Sequence, residues 1–440
     1  MKRFEQFLFY FLLFAIPFQT RKILWHQGWN FNEWQSASIY GTDLILFALF
    51  VFWAFNYFHG RKSLNSVINV KSSVFNIYNP SFYLLVFVVI SAVSIKNSSS
   101  FYLSAYNVLK LVEFVAFYFY VKSYAVYKFG LNKSLLVLIC GGVFQAIIAI
   151  LQFFKQSSFG LKWLGESVLS PDLTGIASFY NFYGEKIIRA YGTTPHPNIL
   201  AAYLFLTIFA FYYLWTYKNI SKFYLLVYGL ILLAFFFTFA RVAVFLLFLN
   251  LLARVILVRL KFNKEYWNKK IGLILLTTSI VVLFFGGFYW PESISRIKIS
   301  SEDEAVQLRI FYNKESVSSL NWFGVGSGNF VNWLMVKDPN LPRNLYQPVH
   351  NIYLLIYSET GILGISAFVL FLIFLIKDFI SRTHLNKLYH YSFLLIFLSI
   401  LFMGLFDHFL FTLQQGRFIF WLVAVLLTYH KDDDIIKAQR

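Results

Sequence analysis

Charge is what this sequence has least of. Of its 440 residues only 13% are Asp, Glu, Lys or Arg, against about a quarter in a soluble domain. The few charges are clumped, and the stretches between them are long enough to cross a roughly 30 Å hydrocarbon layer, which takes about 20 residues of helix. A soluble globule is excluded, because too little polar surface is available to cover it. Cysteine is nearly absent: the single Cys140 allows no intramolecular disulfide and no cysteine metal cluster. The period-2 alternation of an outer-membrane barrel strand is missing. So is a small-x-small cleavage site after the run Phe7 to Phe18, which therefore reads as a first membrane helix and not as a signal peptide. There is no internal repeat, and no low-complexity tract beyond a phenylalanine-rich bias. No carboxylate–histidine cluster has ligand-like spacing apart from the isolated pair Asp407-His408, so neither a metal nor a cofactor is expected.

What is present in excess is apolar and aromatic, 59% and 22% of the chain. A bilayer offers the backbone no hydrogen-bond partner, so apolar runs of this length must be helices. They fall at about 5–20, 42–58, 80–95, 101–121, 134–154, 197–217, 222–239, 242–259, 271–289, 351–376, 390–409 and 416–430. The expected fold is all-α: a polytopic membrane protein of about 12 transmembrane helices, residues 1–440 forming a single integral membrane domain.

Placing the N-terminus in the cytoplasm puts the short basic loops on that side: Arg61/Lys62/Lys71, Lys122/Lys128/Lys133, Lys218/Lys222, Arg259 through Lys270, and Lys377/Arg382/Lys387. That is the expected sign for retained loops, so both termini are expected to be cytoplasmic. The net charge of +18 then reads as loop retention beside anionic lipids, not as a nucleic-acid surface. Two polar segments face outward, 155–196 and 290–350. Within the second, between the ninth and tenth spans, Glu302 to Leu320 reads as an amphipathic helix whose apolar positions Ala305, Val306, Leu308, Ile310, Phe311 and Val317 would rest on membrane or bundle. Inside the spans, Lys110 and Glu113 stand three apart on one helix face and would neutralise each other.

Chemistry is expected where the outer loops meet the helices. Arg189-Ala-Tyr-Gly-Thr-Thr-Pro-His-Pro-Asn198 precedes the sixth span; His196 and Asn198 either cap a proline-shaped helix start or hold a ligand. Arg241, in Thr238-Phe-Ala-Arg, stands at a tight reversal with no basic neighbours to share a retention role. Arg309 sits on the amphipathic helix, followed by the glycine-rich Trp322-Phe-Gly-Val-Gly-Ser-Gly-Asn-Phe330, either a plain turn or a phosphate cradle. Gln347-Pro-Val-His350-Asn351 enters the tenth span at the positive pole of a helix, a position suited to an anion, and is followed by Glu359-Thr-Gly-Ile-Leu-Gly364. Asp407-His408 and Arg417 form a weaker fifth group. With the derived topology Arg189, His196, Arg241, Arg309, His350 and Arg417 share one side of the membrane. Arginines that stay charged and a histidine that accepts a proton near neutral pH describe a receiver for a lipid-linked phosphate or pyrophosphate.

The four blocks from Arg189 to Gly364, in this order, resemble the O-antigen ligase and O-antigen polymerase superfamily of bacterial envelope glycosyltransferases. Residues 1–180 add only hydropathy to the likeness. The resemblance implies an inverting, metal-independent transfer of a glycan from an undecaprenyl-pyrophosphate carrier to a glycan or lipid-core acceptor, at the outer face of the cytoplasmic (inner) membrane. It implies that Arg241 and Arg309 grip the pyrophosphate, that His350 is the base or positions the acceptor hydroxyl, and that Arg189 and His196 line the way in. Asn198, Asn351 and Arg417 join them as candidate substrate-binding residues. Ala240 departs from the pattern, which often has serine there. Ligase, polymerase and protein O-oligosaccharyltransferase share these motifs. A transporter or flippase of lipid-linked sugars is the alternative from another class; against it, the spans lack the paired Gly/Pro-broken helices of repeat-built transporters.

Overall fold

The computed structural model describes residues 2–28, 31–59, 76–218, 221–261, 269–297, 304–319, 321–385 and 387–429. Each apolar run is a helix: α1 (Lys2–Ala15), α2 (Gly41–His59), α3 (Pro80–Ser94), α4 (Phe101–Tyr120), α5 (Leu131–Lys155), α6 (Pro197–Tyr217), α7 (Tyr224–Phe237), α8 (Arg241–Lys261) and α9 (Lys269–Phe288). Three loop helices follow, α10 (Trp290–Ile297), α11 (Glu304–Ser318) and α12 (Phe330–Lys337), then α13 (Ile352–Thr383), α14 (Leu388–Met403) and α15 (Gln414–Leu426). Among the described residues seven helices, α2, α3, α5, α6, α8, α9 and α13, are long and apolar enough to cross a membrane, and α7 and α14 are shorter apolar helices. Arg61, Lys62, Lys71, Lys264, Glu302, Leu320 and the C-terminal tail lie outside the described residues.

Consecutive apolar helices run in opposite directions, so the connections sort to two ends of the bundle. One end is tied together across distant parts of the chain: Gln19 N donates to Leu164 O (3.1 Å), Ala190 N to Phe237 O (3.0 Å) and Ile352 N to Gly404 O (2.8 Å). At the other end Lys128 pairs with Glu5 (2.7 Å), and Lys270 Nζ donates to Lys218 O (3.1 Å). Helix α6 is the axis. It is apolar all round and buried along nearly its whole length, as expected of a helix packed on every side. Apolar helices gain little by leaving lipid for each other, so packing and a few polar contacts hold them together. Examples are Asn250 Nδ2 to Ser399 Oγ (2.8 Å), and Arg254 to Ser392 Oγ (3.1 Å) and Thr216 Oγ1 (2.7 Å).

The structure departs from the expectation in several places. The fold is helical but not purely so: β1 (Arg21–His26) pairs with β2 (Ser36–Tyr40), and β3 (Ser178–Tyr180) with β4 (Lys186–Ile188), both antiparallel. Both hairpins lie outside the apolar runs, where short strands satisfy each other's backbone. Helix α14 stops at Met403, short of the expected 409, and residues 404–413 leave it to form a loop with one helical turn at Phe409–Thr412. Lys110 pairs with Glu113 (2.9 Å) as expected, and also with Asp43 (2.5 Å). In α11, Ile310 and Val317 are exposed, and Tyr312 and Ser316 form the buried face with Leu308 and Phe311 half-buried. A stripe at four-residue spacing, Leu308, Tyr312 and Ser316, wins because Tyr312 Oη reaches Leu345 O (2.6 Å).

Candidate functional site

The start of α6 is built by a histidine cap. His196 is extended, its Nδ1 accepts from Asn198 N (3.1 Å), and Pro197 fills the first helical position. Burial first, and then the charge of Arg189, push the His196 imidazole down to about 3. It is therefore a neutral cap at physiological pH and not a cation for phosphate. Just before it, β4 delivers Arg189, which is buried. Its Nε donates to Thr238 O (2.6 Å) and its Nη2 to Asn198 Oδ1 (2.6 Å). Burial, and then Arg296 nearby, lower this guanidinium to about 9, so it keeps its charge at neutral pH.

Between α7 and α8 the chain reverses through Thr238, Phe239 and Ala240. Phe239 takes φ of +47°, a left-handed conformation that is uncommon for a residue with a side chain. It is held there by rings on three sides, those of Phe153, Phe179 and Phe285, at centroid distances of 5.8, 4.8 and 5.5 Å. The turn places Arg241 at the head of α8, where its Nη1 reaches Arg296 O (3.4 Å).

Arg189, Asn198, Ala240, Arg241, Arg296, Arg309, Phe406 and Asp407 line one cavity, which encloses about 580 Å³ with its mouth. Among the described residues, the lining thus holds four guanidiniums and the carboxylate of Asp407. Arg296, on α10, was not singled out in the sequence; it stands over the Phe179 ring at 5.3 Å. The amphipathic character of the Trp290–Ile297 stretch was the only signal that could have found it.

Asp407 connects this cavity to the histidines. Asn198 Nδ2 donates to its Oδ2 (2.9 Å), and His350 Nδ1 lies 3.9 Å from its Oδ1. Burial alone would raise the Asp407 carboxyl, but His350, His408 and His196 overturn this and hold it well below the usual carboxylate range. The His350 and His408 rings lie 5.0 Å apart. His408 Nδ1 is 2.8 Å from Thr412 Oγ1, and its ring is pushed down to about 3 by burial and then by His350. An ionised aspartate thus sits beside one half-buried histidine and one neutral one. The pair Asp407-His408 is not isolated as the sequence had it, since His350 brings the ligand atoms of all three within 4.8 Å of one another. Two ligands on one zinc at about 2.1 Å stand at most about 4.2 Å apart, so a metal would require the cluster to close up.

The remaining candidates are placed elsewhere. Asn351 caps α13, its Oδ1 accepting from Tyr353 N (2.9 Å) and Leu354 N (3.2 Å). Arg417 lies apart from the arginine cavity: its Nε donates to Phe411 O (2.7 Å), and it lines a second cavity. The glycine-rich loop is not a phosphate cradle. Helix α13 kinks at Gly361 (φ +72°, ψ −171°), which frees backbone groups that the loop satisfies. Val325 N donates to Ser358 O (2.8 Å) and Gly326 N to Glu359 O (3.0 Å), while Ile362 N and Leu363 N donate back to Asn321 O (3.2 Å) and Trp322 O (3.3 Å). A Cβ at Gly361 or Gly324 would collide with the facing backbone. The two glycine motifs are thus the halves of one backbone joint.

Residues 226–369 match the family model described as O-antigen ligase. No curated protein matches the chain.

Proposed function

We propose, from the match of residues 226–369 to the O-antigen ligase family model, that this chain transfers a glycan from an undecaprenyl-pyrophosphate carrier to an acceptor sugar. The role in assembling surface polysaccharide and the setting in a multi-pass membrane protein follow from the family and the apolar helices. The donor, the direction of attack and the residue roles are our reading, as is the orientation, with the basic loops and both termini cytoplasmic and the arginine cavity on the outer side.

The observation that carries the reading is the arginine cavity abutting His350 and Asp407. Pyrophosphate is a polyanion, and a lining that gathers four guanidiniums is its complement. In the reaction the acceptor hydroxyl gives its proton to His350 as its oxygen bonds to the donor's C1 from the face opposite the carrier. The C1–O bond to pyrophosphate breaks, and its electron pair leaves with the carrier pyrophosphate, inverting the anomeric centre. Arg241, Arg296 and Arg309 hold the charge that develops on the leaving group. Losing one such contact typically costs about 2.7–4 kcal/mol of transition-state stabilisation. Asp407 stabilises the imidazolium that forms at His350, and a positioned base contributes about 10²–10⁴-fold. Arg189 and Asn198 link Asp407 to the Phe237–Arg241 turn, so that base and pyrophosphate grip keep a fixed spacing.

The test is a reconstituted assay with the purified protein, an undecaprenyl-pyrophosphate-linked oligosaccharide and a panel of acceptors, with EDTA present throughout. Wild type is expected to form product, and Arg241→Ala and His350→Ala to form none while still inserting into membranes at wild-type level. Product formation by either variant at a near wild-type rate would remove the assigned roles. Which acceptor is used separates ligase, polymerase and protein-modifying variants.

A further inference from the structure

A second cavity lies beyond Thr412, which contacts His408. It encloses about 890 Å³ with its mouth, between the β1–β2 hairpin, α4, α15 and the glycine-rich loop. Its lining differs from the arginine cavity in charge. Arg21 is locked to Glu33 by two contacts of 2.5 and 2.8 Å, Lys110 is held by Asp43 and Glu113, and Arg417 shares the wall with Glu359. Three cations meet four carboxylates, so the cavity has no pull on a polyanion. What it offers is flat aromatic rings, at Trp34, Tyr40 and Tyr106, next to planar hydrogen-bonding groups such as Asn107. The Ser38 hydroxyl, in the same wall, is buried with no hydrogen-bond partner among the described residues. Rings that stack on C–H faces, interleaved with polar groups that pair with hydroxyls, suit an uncharged saccharide.

Position agrees with chemistry. Thr412 lines this cavity, and its Oγ1 lies 2.8 Å from His408 Nδ1. The Trp34 ring meets His408 edge-on at 4.8 Å, and His408 lies 5.0 Å from His350. Asp407, the far member of the group, lines the arginine cavity. A chain of contacts therefore runs from one cavity to the other through Thr412, His408, His350 and Asp407. We propose that the second cavity is the acceptor subsite, holding a terminal uncharged sugar so that its hydroxyl emerges beside His350. This rests on the glycan-transfer reading given above.

The experiment measures transfer by the full-length purified protein, varying separately the undecaprenyl-pyrophosphate-linked oligosaccharide and the acceptor, which is the same oligosaccharide cut from its carrier or whichever other member of the acceptor panel the wild type uses. Asn107→Ala is expected to raise the acceptor KM about tenfold and to leave the donor KM within about twofold, while Arg296→Ala does the reverse. Trp34→Phe, which keeps an aromatic face, should retain most of the acceptor affinity that Trp34→Ala loses. An Asn107→Ala protein with its acceptor KM unmoved, or with the donor KM raised instead, overturns the assignment and leaves the transfer reading intact. If wild type transfers to no acceptor, the transfer reading falls, and binding of the carrier-free oligosaccharide still decides the cavity. A saturable change in tryptophan fluorescence that Asn107→Ala abolishes supports a saccharide site, and no change in wild type removes it.

Discussion

Replacing Asp407 by asparagine removes one charge from the site and leaves its shape. The amide oxygen of the new side chain can still accept from Asn198 Nδ2, which stands 2.9 Å from the present carboxylate. What is lost is the attraction between the carboxylate and His350, 3.9 Å away, which matters once His350 has taken the acceptor's proton. Two unit charges about 4 Å apart interact by about 1 kcal/mol in water and about 4 kcal/mol at an effective dielectric constant of 20. The two side chains are 25% and 16% exposed, so some screening applies and about 2–3 kcal/mol is the reasonable figure. In the proposed reaction the imidazolium forms on the way to the transition state, so the loss should fall on kcat, about 30- to 150-fold. The donor KM should hold or fall, since four arginines then face one carboxylate fewer. Initial rates of the reconstituted reaction, with both substrates varied, separate these terms. A kcat within threefold of wild type, or a raised donor KM at constant kcat, would refute the reasoning: Asp407 would then be a counter-ion of the arginines and not a partner of the base.

Arg296→Ala should lower kcat/KM for the donor by about 10²–10³; a loss below about fivefold in steady-state rates would remove Arg296 from the pyrophosphate grip. Gly361→Ala puts a side chain at φ +72° against the Trp322 backbone. Strain of about 1–3 kcal/mol plus the clash should lower the thermal midpoint of the detergent-solubilised protein by several degrees, and an unchanged midpoint would refute the backbone joint. Acid should destabilise the fold well above the ordinary carboxylate range. The buried His196 and His408 rings refuse protons down to about 3, whereas in the unfolded chain they take them up below about 6.5. Stability is thus fully present above about 6.5 and falls as pH drops towards 3, by about 1–3 kcal/mol per unit for the two together; the contribution of Asp407 fades below about 4 with the same sign. Equal unfolding midpoints at pH 7 and pH 5 would contradict this, and His196→Asn, which keeps a capping side chain, should flatten the dependence.

How much of this was legible in the sequence depends on how far apart in the chain the interacting parts lie. Helix positions were readable because an apolar run between charges is a local signal, and each run folds as a helix. Arg189, Arg241 and Arg309 were readable as a group because topology places the ends of alternate helices together, and the structure brings all three into one cavity. Arg417 shares that end, yet it faces the second cavity, because side and depth are set by helix rotation and not by the order of loops. Asn351 and His196 looked like ligands and are caps: a polar residue before a proline or an apolar run carries either meaning until its backbone is seen. Asp407 was undervalued because its neighbours in sequence, Phe406 and His408, say nothing of Asn198 and His350. The β1–β2 hairpin was invisible, since the run Arg21–His26 carries no alternation strong enough to announce a strand.

The division of the site along the chain carries a further argument. Arg241, Arg296, Arg309 and His350 all fall inside the matched segment 226–369, so in the proposed reaction that segment would supply the grip on the anion and the proton acceptor. The second cavity draws Arg21, Glu33, Trp34, Ser38 and Asn107 from the first quarter of the chain, and Arg417 from its end. Asp407 and Thr412, which also lie outside the matched segment, join the two. A chemistry common to every carrier-linked donor can reside in one contiguous stretch, because its charge requirement does not depend on the sugar. Recognition of a particular acceptor depends on the sugar entirely, and it is consistent that the cavity suited to one is assembled from the remainder. Exchanging residues 1–120 between two proteins of this kind should therefore change the acceptor while leaving the donor KM in place, whereas a swap that altered donor use alone would contradict the division.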